Sequence, residues 1–189
     1  MLDDQVLQIH EFLPFSRVNG PGPRAVIWVQ GCRLRCPGCF NPQTHPRQGG
    51  ERVTVADLFQ RIAALGSTVE GITVSGGEPL HQWRPLVNLL KRIRRETPLS
   101  VVLFTGFSWQ EVCRLLGAGE WPGCVDVLIA GRYVAAQRLA SGLRGSANKT
   151  MHLFTSRYRL ADLESVPLAE AVITAAGEVI LSGIDPPAW

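Results

Sequence analysis

Three cysteines within eight residues constrain this chain more than any other feature: Gly31-Cys32-Arg33-Leu34-Arg35-Cys36-Pro37-Gly38-Cys39-Phe40-Asn41, spaced C-x3-C-x2-C. They follow an apolar run, residues 25–30, that reads as a buried strand. Thiolates this close in sequence converge on one point rather than scatter through a core. Iron–sulfur clusters are normally held by four Cys thiolates. A three-Cys loop therefore leaves one iron of a four-iron cluster open to another ligand.

Other readings of the loop fit less well. A structural zinc site usually takes four ligands in two spaced pairs. No second Cys/His pair follows at finger spacing, although His45 would complete a Cys3His set. Arg33, Arg35 and Pro37-Gly38 make the segment a polar loop, against three unrelated buried thiols. Five cysteines is an odd number and no secretory signal precedes them, which disfavours a disulfide framework.

A chain of 189 residues with 46% hydrophobic and 19% charged content is one soluble domain with room for a core. A net charge of +3 is too mild to argue for nucleic acid or a membrane surface, and arginine heavily outnumbers lysine. No apolar run approaches the roughly 20 residues of a membrane span. Reduced thiols place the protein in the cytoplasm.

Along the chain, residues 1–24 form an opening segment that ends in Asn19-Gly-Pro-Gly-Pro23, a fixed loop. Thr54-Val-Ala-Asp57 caps a helix with Val55, Leu58, Phe59, Ile62 and Leu65 inward, closed by Gly66. Strand 71–75 runs into Gly76-Gly77-Glu78-Pro79. Helix 83–96 buries Leu86, Leu89, Leu90 and Ile93 and turns its basic run, residues 91–95, mostly outward. Strand 100–104 leads to Thr105-Gly106-Phe107, Ser108-Trp-Gln-Glu111 caps a helix ending near Gly117, and strand 125–130 follows. Cys113 and Cys124 read as small hydrophobes.

This alternation implies right-handed βαβ crossovers and a parallel sheet, with too few units for an eight-stranded barrel. The fold class is α/β: an open partial (β/α) barrel. The Cys loop, Ser75–Glu78 and Thr105-Gly106 all fall at C-terminal strand ends. Residues 1–154 form the core; 155–189 form an extension in which 171–174 and 178–182 pair as a β-hairpin, covering the sheet edge or forming a partner surface.

The C-x3-C-x2-C spacing resembles the signature of radical S-adenosylmethionine (SAM) enzymes. Further segments resemble one branch, the activating proteins of anaerobic ribonucleotide reductase. They are residues 19–24, 31–32, 36–41, 75–81, 105–107, 126–128 and 144–148, in order across most of residues 12–154.

The resemblance implies that SAM's methionine amino and carboxylate groups occupy the open iron held by Cys32, Cys36 and Cys39. One electron from a low-potential donor of flavodoxin or ferredoxin type then cleaves SAM to a 5′-deoxyadenosyl radical. That radical takes hydrogen from a backbone glycine of a glycyl-radical partner enzyme. Ser75, Gly76, Gly77 and Glu78 meet the methionine moiety, with backbone approaching the ligand closely at the glycines. Gly38, Cys39 and Phe40 meet the adenine. Thr105, Asp126, Arg144 and Asn148 match positions lining the cofactor or partner site, Asp126 being equally well a structural residue.

Two departures bear on the substrate. Ala130 stands where the branch often has a second aspartate, and Lys149 where it tends to have glutamine. They and the C-terminal hairpin favour an alternative: a radical SAM enzyme acting directly on a small metabolite or peptide. The small chain without a large lid favours the activase. A non-catalytic iron–sulfur carrier would need no Gly-Gly-Glu and would ordinarily have a fourth cysteine.

Overall fold

The computed structural model describes residues 4–184 apart from 118, 120 and 174–176. Its first half runs β1 (Val6–Ser16), β2 (Arg24–Val29), β3 (Glu51–Thr54), α1 (Val55–Ala63), β4 (Gly71–Gly76), α2 (Trp83–Glu96) and β5 (Ser100–Thr105). The rest runs α3 (Trp109–Leu116), β6 (Val127–Ala130), β7 (Arg138–Ser141), β8 (Arg144–Ser146), β9 (Thr150–Leu153), α4 (Leu160–Glu164), β10 (Ala169–Ile173) and β11 (Val179–Gly183).

Seven strands form one open sheet in the order β3-β1-β2-β4-β5-β6-β9. The central four are parallel, joined through α1, α2 and α3; β1 and β9 flank them antiparallel, and β3 pairs antiparallel with β1 at the edge. This is the open, mostly parallel α/β architecture expected from the sequence.

Strand period sorts the two faces. Ile27, Val29, Val101, Leu103 and Leu128 point into one core with α1 and α2, while Val102, Val127 and Ile129 pack on the other face against Leu143, Leu163 and Val166. The helices form as their caps dictate. The Thr54 hydroxyl accepts the Asp57 N–H at 3.0 Å, and Ser108 and Glu111 form a reciprocal capping box.

Several elements differ from expectation. The opening segment is mostly strand β1, whose buried Leu7 and Ile9 face the α1–α2 core; past a shift in its pairing with β2, Phe12 takes that face and Leu13, opposite Val26, turns to the other. Among the described residues β10 and β11 pair only with each other and add no strand to the main sheet, and residues 174–176 of the expected hairpin lie outside the described residues. Cys113 is exposed, whereas Cys124 is buried. Arg94 turns inward to Asp126, 2.8 Å away.

The Asn19–Pro23 loop is fixed by Arg24, fully buried. Its guanidinium donates to the Pro21 and Ile72 carbonyls at 2.7 and 2.8 Å and to the Thr73 hydroxyl at 3.0 Å. Burial pushes its pKa down, and these acceptors carry the charge.

Candidate active site

The parallel strands end on one rim, and the cysteine loop leaves β2 there. It is anchored at both ends by backbone. Gly31 N–H donates to Thr44 O at 2.8 Å, Cys32 N–H to His45 O at 3.0 Å and Glu78 N–H to Gly31 O at 3.0 Å. Between the anchors the chain turns sharply, with Arg35 at φ 47° and Gly38 at φ 70°. Arg35 is the one described non-glycine residue with positive φ, a conformation that costs about 1–2 kcal/mol and recurs at functional sites.

Cys32, Cys36 and Cys39 are free and border one cavity of about 360 Å³. Ser75, Gly76, Gly77, Glu78 and Thr105 border the same cavity, with Phe40. Trp28 and Phe104 line it too, so it lies on the sheet face away from α1 and α2. Burial pushes the Cys32 thiol pKa up, opposed by hydrogen bonds from the Leu34 and Arg35 backbone.

The three thiols face one shared cavity wall. Among the described residues no group of three or more His, Cys, Asp or Glu is placed to hold one metal ion, so a Cys3His set with His45 is not formed. A four-iron cluster takes one thiolate per iron, so its ligands stand apart.

Glu78 is fully buried, and its carboxylate braces two strand ends. Oε1 accepts from Leu80 N–H at 2.9 Å and the Thr105 hydroxyl at 2.7 Å; Oε2 accepts from Gly106 N–H at 2.7 Å. Burial pushes its pKa up against these donors. The glycines before it serve the protein's own packing. A Cβ on Gly77 would stand 2.6 Å from Gly31 O, and one on Gly76 2.5 Å from Val29 N.

Phe40 is 43% exposed, so it is no core residue, and its ring lies 4.6 Å from that of Tyr133. Gly38 packs beside Tyr133 and Ala135 behind the loop. Asn148 lies outside the cavity lining; its amide donates to Arg132 O at 2.9 Å. Asp126 sits at the opposite, N-terminal end of β6. Burial raises its pKa, but Thr155, Val101 N–H and Arg94 together hold it below the usual carboxylate range. Asp126 is a structural hub. Arg144 also falls outside the cavity lining.

Sequence reasoning missed part of the wall. Asn19, within a segment that carries the resemblance, lines the cavity; unread from the sequence, so do Val18 and Ile180, Leu181, Ser182, Gly183 and Ile184 of the hairpin. Nothing in the period of β11 shows which surface it lies on. Lys149 also lines the cavity, its ammonium donating to Gly131 O.

Residues 18–152 match the family described as a 4Fe-4S single cluster domain. The chain is 34% identical over 155 residues to the anaerobic ribonucleoside-triphosphate reductase-activating protein of Escherichia coli strain K12, covering 77% of this chain and 98% of that protein. The chain belongs to the radical SAM family, in its activating-protein branch. A putative glycyl-radical enzyme activating enzyme of Haemophilus influenzae is 35% identical over 118 residues, 61% of this chain and 45% of that one. The crystal structure of QueE from Escherichia coli aligns with TM-score 0.47 at 20% identity, over 55% of this chain and 53% of that one. As a radical SAM protein the chain uses a [4Fe-4S] cluster and SAM. Its three free thiols around one cavity fit the first, and an adjoining wall of backbone, aromatic and cationic groups fits the second.

Proposed function

We propose that this protein is an activase that installs a glycyl radical on a partner enzyme such as an anaerobic ribonucleotide reductase. The observation that carries this reading is the single cavity shared by Cys32, Cys36, Cys39 and the Ser75–Glu78 turn. When bound, cluster and SAM supply one-electron reductive cleavage, the source of a hydrogen-abstracting radical.

The chain's own residues hold, orient and shield. Cys32, Cys36 and Cys39 supply the three thiolates. The Ser75–Glu78 turn offers backbone to the methionine moiety, and the exposed Phe40 ring offers a face to the adenine. Glu78 positions this turn by tying it to Thr105 and Gly106. Leu13, Val18, Leu143 and Ile180 give the cavity an apolar side that excludes water from a reactive intermediate. Arg33, Arg35 and Arg47 are exposed around the cysteine loop and suit an acidic electron donor of flavodoxin or ferredoxin type. Residues 155–184 act as an extension of the core that supplies part of the wall. No helix among the described residues is long and apolar enough to cross a membrane. With five free cysteines, a reducing cytoplasm suits the protein.

The hairpin favours a second reading. It walls a cavity of about 360 Å³, within the size range of small-molecule sites, so a small metabolite or peptide is the alternative substrate. Anaerobic protein with SAM and reductant, given either a glycyl-radical partner or candidate metabolites, separates the two. The activase yields a persistent doublet radical on the partner, coupled to deoxyadenosine formation. Stoichiometric turnover of a small molecule with no protein radical would overturn it.

A further inference from the structure

Lys149 is the one lysine or arginine among the described residues lining the cavity, and one of only two lysines in the chain. Its place follows from register. Ala130 pairs with Thr150, so Lys149 lies just past the end of β6, on the rim where the parallel strands finish. The ammonium donates to the Gly131 carbonyl, which satisfies one of its three N–H donors.

Nothing nearby neutralises it by contact. Lys149 makes no ion pair among the described residues. Cys36, Glu78 and Cys39 act on it through space. Glu78 already receives three donors from Leu80, Thr105 and Gly106. Burial pushes the Lys149 pKa down, the mark of an ammonium short of compensating charge. A cation held at a cavity wall with two donors to spare is a site for an anion.

SAM carries a sulfonium, an ammonium and one negative group, its carboxylate. We propose that Lys149 is an anion subsite of this cavity and receives the SAM carboxylate. The inference rests on the SAM reading of the site. It makes Lys149 a binding residue, with the Gly131 carbonyl aiming its ammonium.

The test is equilibrium binding, without turnover, to protein loaded with its cluster. The probes are SAM and decarboxylated SAM, which differ only in the carboxylate. In Lys149→Met, SAM affinity falls about tenfold or more, the loss expected for one charge-assisted hydrogen bond. Affinity for decarboxylated SAM stays within about twofold, and Lys149→Arg keeps most SAM affinity. Iron content per chain, unchanged in the variants, establishes that the loop is intact; should Lys149→Met lose iron, Lys149→Gln replaces it. Equal loss for both probes, or loss for neither, overturns the anion subsite and leaves the SAM reading in place. Loaded wild-type protein that binds neither probe overturns the SAM reading and this inference together.

Discussion

The Thr105 hydroxyl donates to Glu78 Oε1 at 2.7 Å and accepts the Phe107 N–H at 3.1 Å. One buried side chain thus locks the turn after β4 to the turn after β5. Thr105→Val keeps the shape and removes the hydroxyl. It leaves the Phe107 N–H without this acceptor and Glu78 with one donor fewer, at a cost of about 1–3 kcal/mol. Urea unfolding of wild type and variant measures the loss. A difference below about 0.5 kcal/mol would show that the lock contributes nothing.

Cys32, Cys36 and Cys39 share the cavity wall, and Cys113 lies exposed on α3. Alanine at any of the first three is expected to abolish the cluster's low-potential paramagnetic signal after anaerobic reconstitution. Cys113→Ala is expected to keep full iron and the full signal. A complete cluster in Cys36→Ala would sink the ligand assignment.

Gly77 is needed by the protein before any ligand arrives. A Cβ there stands 2.6 Å from Gly31 O and 3.1 Å from Thr44 O, both backbone atoms that anchor the cysteine loop. Gly77→Ala therefore shifts the loop, lowers iron incorporation and costs about 1–3 kcal/mol. Gly123→Ala, with nothing within 4 Å of its Cβ, is the control and stays within about 0.5 kcal/mol. Normal iron content in Gly77→Ala would contradict this account.

Local signals explain what the sequence made legible. The C-x3-C-x2-C spacing, the caps at Thr54 and Ser108, and the apolar stripe of α2 act within a few residues, so loop, helices and parallel strands could be read directly. Strand β1 was hidden because its alternation breaks after Ile9, where the pairing with β2 shifts, and because Pro14 and the Gly/Pro stretch after it dominate the reading. The reason for Gly77 was hidden too. It depends on Gly31 and Thr44, some 46 and 33 positions away, meeting it in space. Lys149 and the β11 wall share that difficulty: register against β6 and the fold of the extension decide where they sit.

Glu111 pairs with Arg132 through two bonds, 2.8 and 3.0 Å, and accepts the Ser108 N–H at 2.7 Å. Arg132 first, then Ser108, hold its pKa down at about 2, against an ordinary value of 4.5. A carboxyl depressed on folding stabilises above its unfolded pKa and loses that contribution as pH falls through its folded value. The wild-type advantage over Glu111→Gln is therefore about 1 kcal/mol at pH 7, after screening of a partly exposed pair, and disappears between pH 4.5 and 2. Chemical denaturation across that range checks it. A gap independent of pH would refute the pairing as its source.

Asn19 pins the hairpin to the core. Its amide donates to the Ser182 hydroxyl at 2.6 Å and the Ser16 hydroxyl at 2.8 Å, while its carbonyl accepts the Thr73 hydroxyl at 2.7 Å. The second tie is Arg17 N–H to Glu170 Oε2 at 3.0 Å. Among the described residues the β10–β11 pair has no other strand neighbour, and an isolated hairpin is marginal in water. Asn19→Ala removes the side-chain bonds and leaves the backbone bond to Thr73. Losing about 1 kcal/mol of local stability raises the population of the opened hairpin about fivefold. Amide exchange at residues 179–183 is then expected to accelerate by about that factor, with residues 71–76 and 100–105 unchanged. The readout is site-resolved exchange at neutral pH. Acceleration spread evenly over β4, β5 and β11 would mean that Asn19 supports the whole fold, and the hairpin would lose its standing as a separately held wall of the cavity.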